Sequence, residues 1–279
     1  MMTFDEYLAK HPFLQESAKV YNSIEEAVSN LTKEKLAVPP EHFLKRIADE
    51  GLPLLQEKAV QEKVIADSAV ALEKIVQEIK NLPVTREMQE TAEILAKAFG
   101  EKKELASALM ELIIIQDMER LSEKCKEISV AEPFILLVGW NIVSSILPGE
   151  IKKRTVWEKV KYRRNYCPVC GRRPVMGQLR KEANGKARFL SCDGCHTQWP
   201  FDRTGCVYCG NDDLRKIEVM EPANNEKIRL YACKECKSYL KTYVEEDEEE
   251  IFLRDWATMH FDILGEEAGF HKQGSVIMG

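Results

Sequence analysis

Four CxxC pairs stand out in the chain: Cys167 and Cys170, Cys192 and Cys195, Cys206 and Cys209, Cys233 and Cys236. Eight of the nine cysteines fall in residues 167–236, and only Cys125 precedes them. Two thiolates two residues apart can reach one tetrahedral ion across a tight turn, a knuckle, and a second knuckle completes a four-sulfur site. The 21 residues between Cys170 and Cys192, and the 23 between Cys209 and Cys233, leave room for a hairpin that brings two knuckles together. The 10 between Cys195 and Cys206 suit a link between sites. The spacing therefore groups Cys167, Cys170, Cys192 and Cys195 as one metal site, and Cys206, Cys209, Cys233 and Cys236 as another.

An internal repeat supports this grouping. Gly171 and Gly210 follow the first and third knuckles, where the backbone must bend toward sulfur, while His196 and Lys237 follow the second and fourth. Lys186, Arg188, Phe189 and Cys192 align with Lys227, Arg229, Leu230 and Cys233, and the alternation in both segments predicts a returning strand. Asn184-Gly185 and Asn224-Asn225 supply turn residues. Zinc and iron both accept four thiolates in a tetrahedron, so spacing leaves the metal open. A structural zinc binds with about 10–16 kcal/mol, ample for a ribbon that has little core.

Other cysteine chemistries fit less well. Four close pairs, with no signal peptide at the start, do not read as disulfide staples. A thioredoxin-type pair needs a βαβ context. Cys192 to His196 spells CxxCH, the c-type haem attachment pattern, but those cysteines already belong to the first site.

The elements that position these residues come next. A chain of 279 residues with 44% hydrophobic and 31% charged residues can bury a full core and divide into two domains. Pro12 follows a short predicted helix. Ser23 with Glu26, and Ser129 with Glu132, read as capping boxes opening helices. Pro39-Pro40 and Gly51 bracket another helix, and residues 55–82 carry Val60, Val64, Ala71, Leu72, Ile75, Val76 and Ile79 at helical spacing. Thr85 caps a helix to Gly100, and residues 101–125 continue as one helix, with Cys125 a half-buried packing residue. Residues 133–147 are the most apolar stretch, too short to span a bilayer and read as a central buried helix. After the knuckles come six acids at 245–250, then a helix ending near Gly265 or Gly269, packed through Phe252, Trp256, Met259 and Ile263, and a mobile or partner-facing tail.

The expected fold is α+β and multidomain: an all-helical N-terminal bundle (1–149), a basic connector (150–166), two tandem rubredoxin-like or zinc-ribbon-like modules (167–205 and 206–244), then the acidic loop, C-terminal helix and tail (245–279). Over residues 151–166 of the connector Lys152, Lys153, Arg154, Lys159, Lys161, Arg163 and Arg164 stand against Glu158 alone. It reads as a solvated face or as a docking strip for an anionic partner. Net charge of −6 argues against nucleic-acid binding. There is no GxxxxGK[ST], GxSxG or HExxH, so no catalytic residue is assigned and the chain is expected not to be an enzyme.

CPVCGRRPV, CDGCHTQW, CVYCGN and CKECKSYLKTY, followed by DWATMHFDILGEEAGF, resemble the formate dehydrogenase accessory protein FdhE family. Pro168, Gly171, Pro174, Trp199, Tyr239, Leu240 and Lys241 carry the likeness over residues 167–270, while Lys237 replaces a frequent family glycine. The resemblance implies a cytoplasmic maturation factor that associates with the catalytic subunit of formate dehydrogenase, a molybdenum or tungsten enzyme. It also implies rubredoxin-like iron in the two four-cysteine sites. The basic strip would then meet the pterin cofactor's phosphates or an acidic client face. A rubredoxin-like electron carrier and a zinc-ribbon nucleic-acid binder are the competing classes.

Overall fold

The computed structural model describes residues 4–33, 35–182, 185–222, 227–245 and 254–276. Its first part is helical: α1 (Phe4–Lys10), α2 (Gln15–Leu31), α3 (Glu41–Glu50), α4 (Lys58–Glu78), α5 (Arg86–Glu101), α6 (Leu105–Ile115), α7 (Met118–Glu127) and α8 (Glu132–Ile146). α8 is mostly apolar and buries Phe134, Ile135, Val138, Trp140, Ile142 and Val143. α4 packs against α5, α6 and α8, and α2 against α8. Among the described residues no single helix is long and apolar enough to cross a membrane.

Several helix ends follow local chemistry. Thr85 Oγ1 accepts from Met88 N–H at 3.3 Å, and Gly51 closes α3 at φ 77°. Neither expected capping box forms. Ser23 lies inside α2, where its hydroxyl donates to the Val20 carbonyl at 2.9 Å. Ser129 is left-handed, φ 57°, and finishes α7, with Val130 N–H donating to the Cys125 carbonyl at 2.9 Å. The expected single helix over 101–125 breaks at Gln116, φ 61°, and Asp117, whose carboxylate caps α7 through Arg120 N–H at 3.1 Å. Cys125 is fully rather than half buried.

The connector forms two short helices, α9 (Gly149–Lys152) and α10 (Arg154–Lys159). Three of its cations, Lys152, Arg154 and Arg164, are half-buried. Lys152 Nζ donates to Ser144 Oγ at 3.1 Å, and the Arg154 guanidinium lies 4.9 Å over the Phe189 ring. Lys159 pairs with Glu41, and Arg164 donates to the Asp49 carbonyl at 3.0 Å. The strip is thus not one continuous basic face. Lys153, Lys159, Lys161 and Arg163 are exposed, Lys159 within its surface ion pair.

The strands are β1 (Met176–Glu182), β2 (Gly185–Ser191), β3 (Gln198–Phe201), β4 (Ile217–Met220), β5 (Ile228–Cys233), β6 (Ser238–Val244) and β7 (His271–Lys272). Each module is an antiparallel trio, β1-β2-β3 and β4-β5-β6. The trios are not separate hairpins. β1 pairs in parallel with β6, Met176 opposite Lys241 and Leu179 opposite Val244, giving one sheet in the order β3-β2-β1-β6-β5-β4. The modules stand head to tail, the first strand of one against the third of the other. Contact at this seam is tight. A Cβ on Gly177 would lie 2.9 Å from Leu240 Cδ2. Glu182 pairs with Gly185 across the first hairpin, while the turn residues Asn184, Asn224 and Asn225 lie outside the described residues.

The C-terminal stretch is a 3-10 turn, Trp256–Phe261, followed by α11 (Asp262–Glu267). It buries Ala257, Thr258, Phe261, Asp262 and Gly265, while Met259 and Ile263, expected to pack, are 41% and 59% exposed. A period of three in the 3-10 turn rotates the face that a 3.6-residue period would bury. Phe252 and residues 246–250 of the acidic run lie outside the described residues. The tail is tied down as far as Val276. β7 pairs with β6, Arg172 donates to the Ser275 carbonyl at 2.7 Å, and Val276 N–H donates to Asp193 Oδ2 at 2.8 Å.

Beneath this stretch lies a buried charge quartet. Lys241 Nζ stands 2.8 Å from Asp255 Oδ1 and 2.9 Å from Asp262 Oδ1, and Lys272 Nζ stands 2.7 and 2.8 Å from their other oxygens. Tyr239 OH donates to Asp262 at 2.9 Å. Burial raises the Asp255 carboxyl, but the two ammoniums outweigh it and hold the group below its ordinary value. Lys272 is raised, the carboxylates outweighing its desolvation. Asp255 therefore contributes stability that is present above its unfolded pKa of about 3.9 and lost on acidification below it. Lys272 contributes stability lost as pH rises beyond about 10.4. Lys241→Met would leave two buried carboxylates with one cation. It is expected to cost about 3–5 kcal/mol in denaturant unfolding.

Candidate metal centres

The four sulfurs of Cys167, Cys170, Cys192 and Cys195 lie within 4.8 Å of one another, and so do those of Cys206, Cys209, Cys233 and Cys236. The structure thus brings the eight cysteines together in the two sets that the spacing groups. No described pair is bonded covalently. Closest cross-knuckle separations are 3.4 Å for Cys167–Cys195 and Cys170–Cys192, 3.6 Å for Cys206–Cys236 and 3.8 Å for Cys209–Cys233. A tetrahedral ion with bonds of about 2.3 Å to sulfur needs sulfur–sulfur edges of about 3.8 Å. Donor type, number and spacing therefore fit, and each set could hold a metal ion.

The knuckles repeat one backbone design. Cys167 N–H donates to the Arg172 carbonyl at 2.8 Å, Cys192 N–H to Thr197 at 3.0 Å, and Cys206 N–H to Asn211 at 2.8 Å, each five residues on. The residue after every second cysteine is left-handed: Gly171 at φ 78°, His196 at 59°, Gly210 at 75° and Lys237 at 56°. Glycine takes this conformation freely, whereas His196 and Lys237 each carry about 1–2 kcal/mol of backbone strain. At the fourth knuckle the lysine thus keeps the glycine geometry.

A hydroxyl two residues after the last cysteine of each set completes the design. Thr197 Oγ1 lies 3.1 Å from Cys195 Sγ, and Ser238 occupies the matching place after Cys236. Burial raises the Cys195 thiol, but hydrogen bonds from Cys167, Cys170, Cys192 and Thr197 outweigh it and leave the group well below its ordinary value. Cys236 is lowered in the same way, with Ser238 the leading donor. Burial holds Cys167 and Cys170 well above the ordinary thiol value and pushes Cys206 up. The repeat Cys195-His196-Thr197 and Cys236-Lys237-Ser238 is visible in the sequence, but only the geometry shows what the hydroxyls do.

The first set is seated in the helical body. After Pro53, Leu54 and Leu55 N–H donate to the Pro168 and Val169 carbonyls at 3.0 and 2.9 Å. Gln116 Nε2 donates to the Cys170 carbonyl at 2.7 Å, and Ser144 Oγ to the Cys195 carbonyl at 3.3 Å. A Cβ on Gly194 would lie 2.8 Å from the Trp140 ring. Trp199 Nε1 donates to the Arg164 carbonyl at 3.0 Å. His196 is not among the clustered ligands. Its Nδ1 lies 3.1 Å from Ser144 Oγ, and burial holds the imidazole well below its ordinary value, hence neutral. Gln116 and Ser144 carry no local sequence signal for this role. The polar breaks in otherwise apolar helices are the trace they leave.

Residues 166–203 match the family description "FdhE, central domain", and residues 204–278 match "FdhE, C-terminal domain", so each family domain contains one sulfur set. Residues 166–278 thus match the two FdhE domains in order. An FdhE homolog of Aquifex aeolicus is 34% identical over 133 residues, 45% of this chain and 47% of that protein. Protein FdhE of Salmonella paratyphi A is 30% identical over 181 residues, 58% of this chain and 56% of that protein. This chain thus spans about half the length of the curated relatives it matches. The crystal structure of the FdhE protein from Pseudomonas aeruginosa superposes with a TM-score of 0.54 at 19% identity, covering 93% of this chain and 95% of that one. That likeness establishes the FdhE fold over the helical part as well.

Thr197→Val removes the hydroxyl at Cys195 and keeps the volume. It is expected to weaken zinc binding at the first centre by about 10–100-fold in chelator competition, with the second centre unchanged. Protons compete for the raised thiols, so affinity at both centres is expected to fall as the titration is repeated at lower pH.

Proposed function

We propose that the chain is a cytoplasmic accessory factor for formate dehydrogenase maturation that holds one ion in each sulfur set and binds the enzyme's catalytic subunit, a molybdenum or tungsten protein. The observation that carries this reading is the coincidence of each four-cysteine set with one FdhE domain. Cys167, Cys170, Cys192 and Cys195 are the ligands of one ion, and Cys206, Cys209, Cys233 and Cys236 those of the other. Bound zinc would only cross-link the knuckles, whereas iron would add a one-electron couple.

The chain works by contact rather than turnover. Residues 1–149 serve as a helical body and 167–244 as the platform, and the two present a client with one rigid surface. Three supports favour rigidity: the seated first knuckles, the shared sheet and the buried charge quartet. The exposed Lys153, Lys161 and Arg163 meet an acidic client face.

Affinity capture of the full chain from a host making formate dehydrogenase tests the proposal. The expected outcome is recovery of the catalytic subunit and two metal ions per chain by elemental mass spectrometry. Capture without the subunit, or a chain free of metal, would sink it. Reversing charge at Lys153, Lys161 and Arg163 together is expected to reduce subunit recovery in proportion to salt sensitivity. Unchanged recovery would remove the cations from the contact.

A further inference from the structure

The two sulfur sets differ in a way that their shared sequence pattern hides. In the first, Cys167, Cys170, Cys192 and Cys195 are 0, 1, 2 and 0% exposed. Helical residues cover it: Leu54, Leu55, Gln116, Trp140 and Ser144 all touch its knuckles. In the second, Cys233 is 1% and Cys206 8% exposed, but Cys209 is open to solvent and Cys236 is half-buried. A Cβ on Gly171 would meet Pro53 at 3.1 Å, whereas one on the matching Gly210 would meet nothing within 4 Å. The nearby ion pairs Lys234–Glu218 and Lys216–Glu235 lie at the surface, and Leu214 beside them is 58% exposed. Exposed pairs contribute only about 0–1 kcal/mol each and make a poor lid.

We infer that the centres divide their roles: the first is a permanent structural rivet, and the second is an exchange site where a soft thiol ligand or chelator gains access to the ion through Cys209 and Cys236. This rests on the reading that both sets bind metal. Exchange at the second site is a ligand substitution without redox change. An incoming thiol loses its proton and bonds to the ion through sulfur. The Cys209 sulfur gives up its bond to the ion and takes a proton. At the first set the same approach requires the knuckles to leave the helical body, breaking the hydrogen bonds from Leu54, Leu55, Gln116 and Ser144. Opening of that kind draws on the stability of the core, while the second set needs only local fluctuation.

The full-length chain loaded with two equivalents of zinc provides the test, with an excess of the chromophoric chelator 4-(2-pyridylazo)resorcinol at neutral pH. One equivalent is expected to leave in a fast phase and the other at least about tenfold more slowly, near the rate of global unfolding. Iodoacetamide added during the fast phase, with peptide mass spectrometry, is expected to label the cysteines of the second set before those of the first. Cys209→Ser should remove the fast phase and leave the slow one at its original rate. Two equivalents released in one phase, or earlier labelling of Cys167 to Cys195, would overturn the division while leaving metal binding intact. A chain that takes up no zinc overturns the metal reading itself, and with it this inference.

Discussion

Four sulfurs within 4.8 Å of one another cannot all be anions unless a cation lies among them. At an effective dielectric near 20, two unit charges 3.6 Å apart repel by about 4–5 kcal/mol, and a set of four contains six such pairs. The folded chain therefore has two ways to close each set. Either protons remain on the thiols, or a metal ion replaces them. The raised Cys167, Cys170 and Cys206 and the lowered Cys195 and Cys236 describe the first way. Everything around the sets holds the sulfurs in place for either state. The left-handed residues turn the knuckles, the Thr197 hydroxyl lies against the Cys195 sulfur, and the Ser238 hydroxyl donates to the Cys236 carbonyl.

From this constraint the layout of the second half follows. A lone ribbon of three short strands has two open edges and little core. Here the first strand of one ribbon pairs with the third of the other, so two of the four edges disappear. α10 packs against β3 and covers a third. The arrangement differs from a twofold pairing of like edges. It is a translation across the sheet, which places the two sets in unequal surroundings even though their local design repeats. One set faces the helical body and the other faces outward.

Much of this was legible in the residues. The four CxxC pairs, the gap lengths and the alternation at Phe189 and Leu230 led to the grouping of sulfurs and to the returning strands, because those are local signals with a fixed period. Thr85, Pro40 and Gly51 marked true helix ends for the same reason. Where local chemistry competes with tertiary contact, the reading failed. Ser23 and Ser129 have the capping-box pattern, but α2 packs through the first, and α7 closes on the second. Gln116 looked like a position in a continuous helix, yet it adopts the left-handed conformation that aims its amide at Cys170. The parallel seam of β1 and β6 joins residues some 65 apart and has no local signature. Lys241, noticed only as a family-typical position, proves to be one member of a buried charge quartet completed by Asp255, Asp262 and Lys272 from the C-terminal stretch.

The last described residues bear on how such a molecule can be made. Val276 bonds to Asp193, inside the second knuckle, and Ser275 accepts from Arg172, just past the first. Lys272 completes the charge quartet. Val276 and Ser275 lie 83 and 103 residues along the chain from the knuckle residues they fasten. The first sulfur set is therefore fastened by contacts of long sequence separation, whose loop closure is costly and slow compared with the local turns of the knuckles.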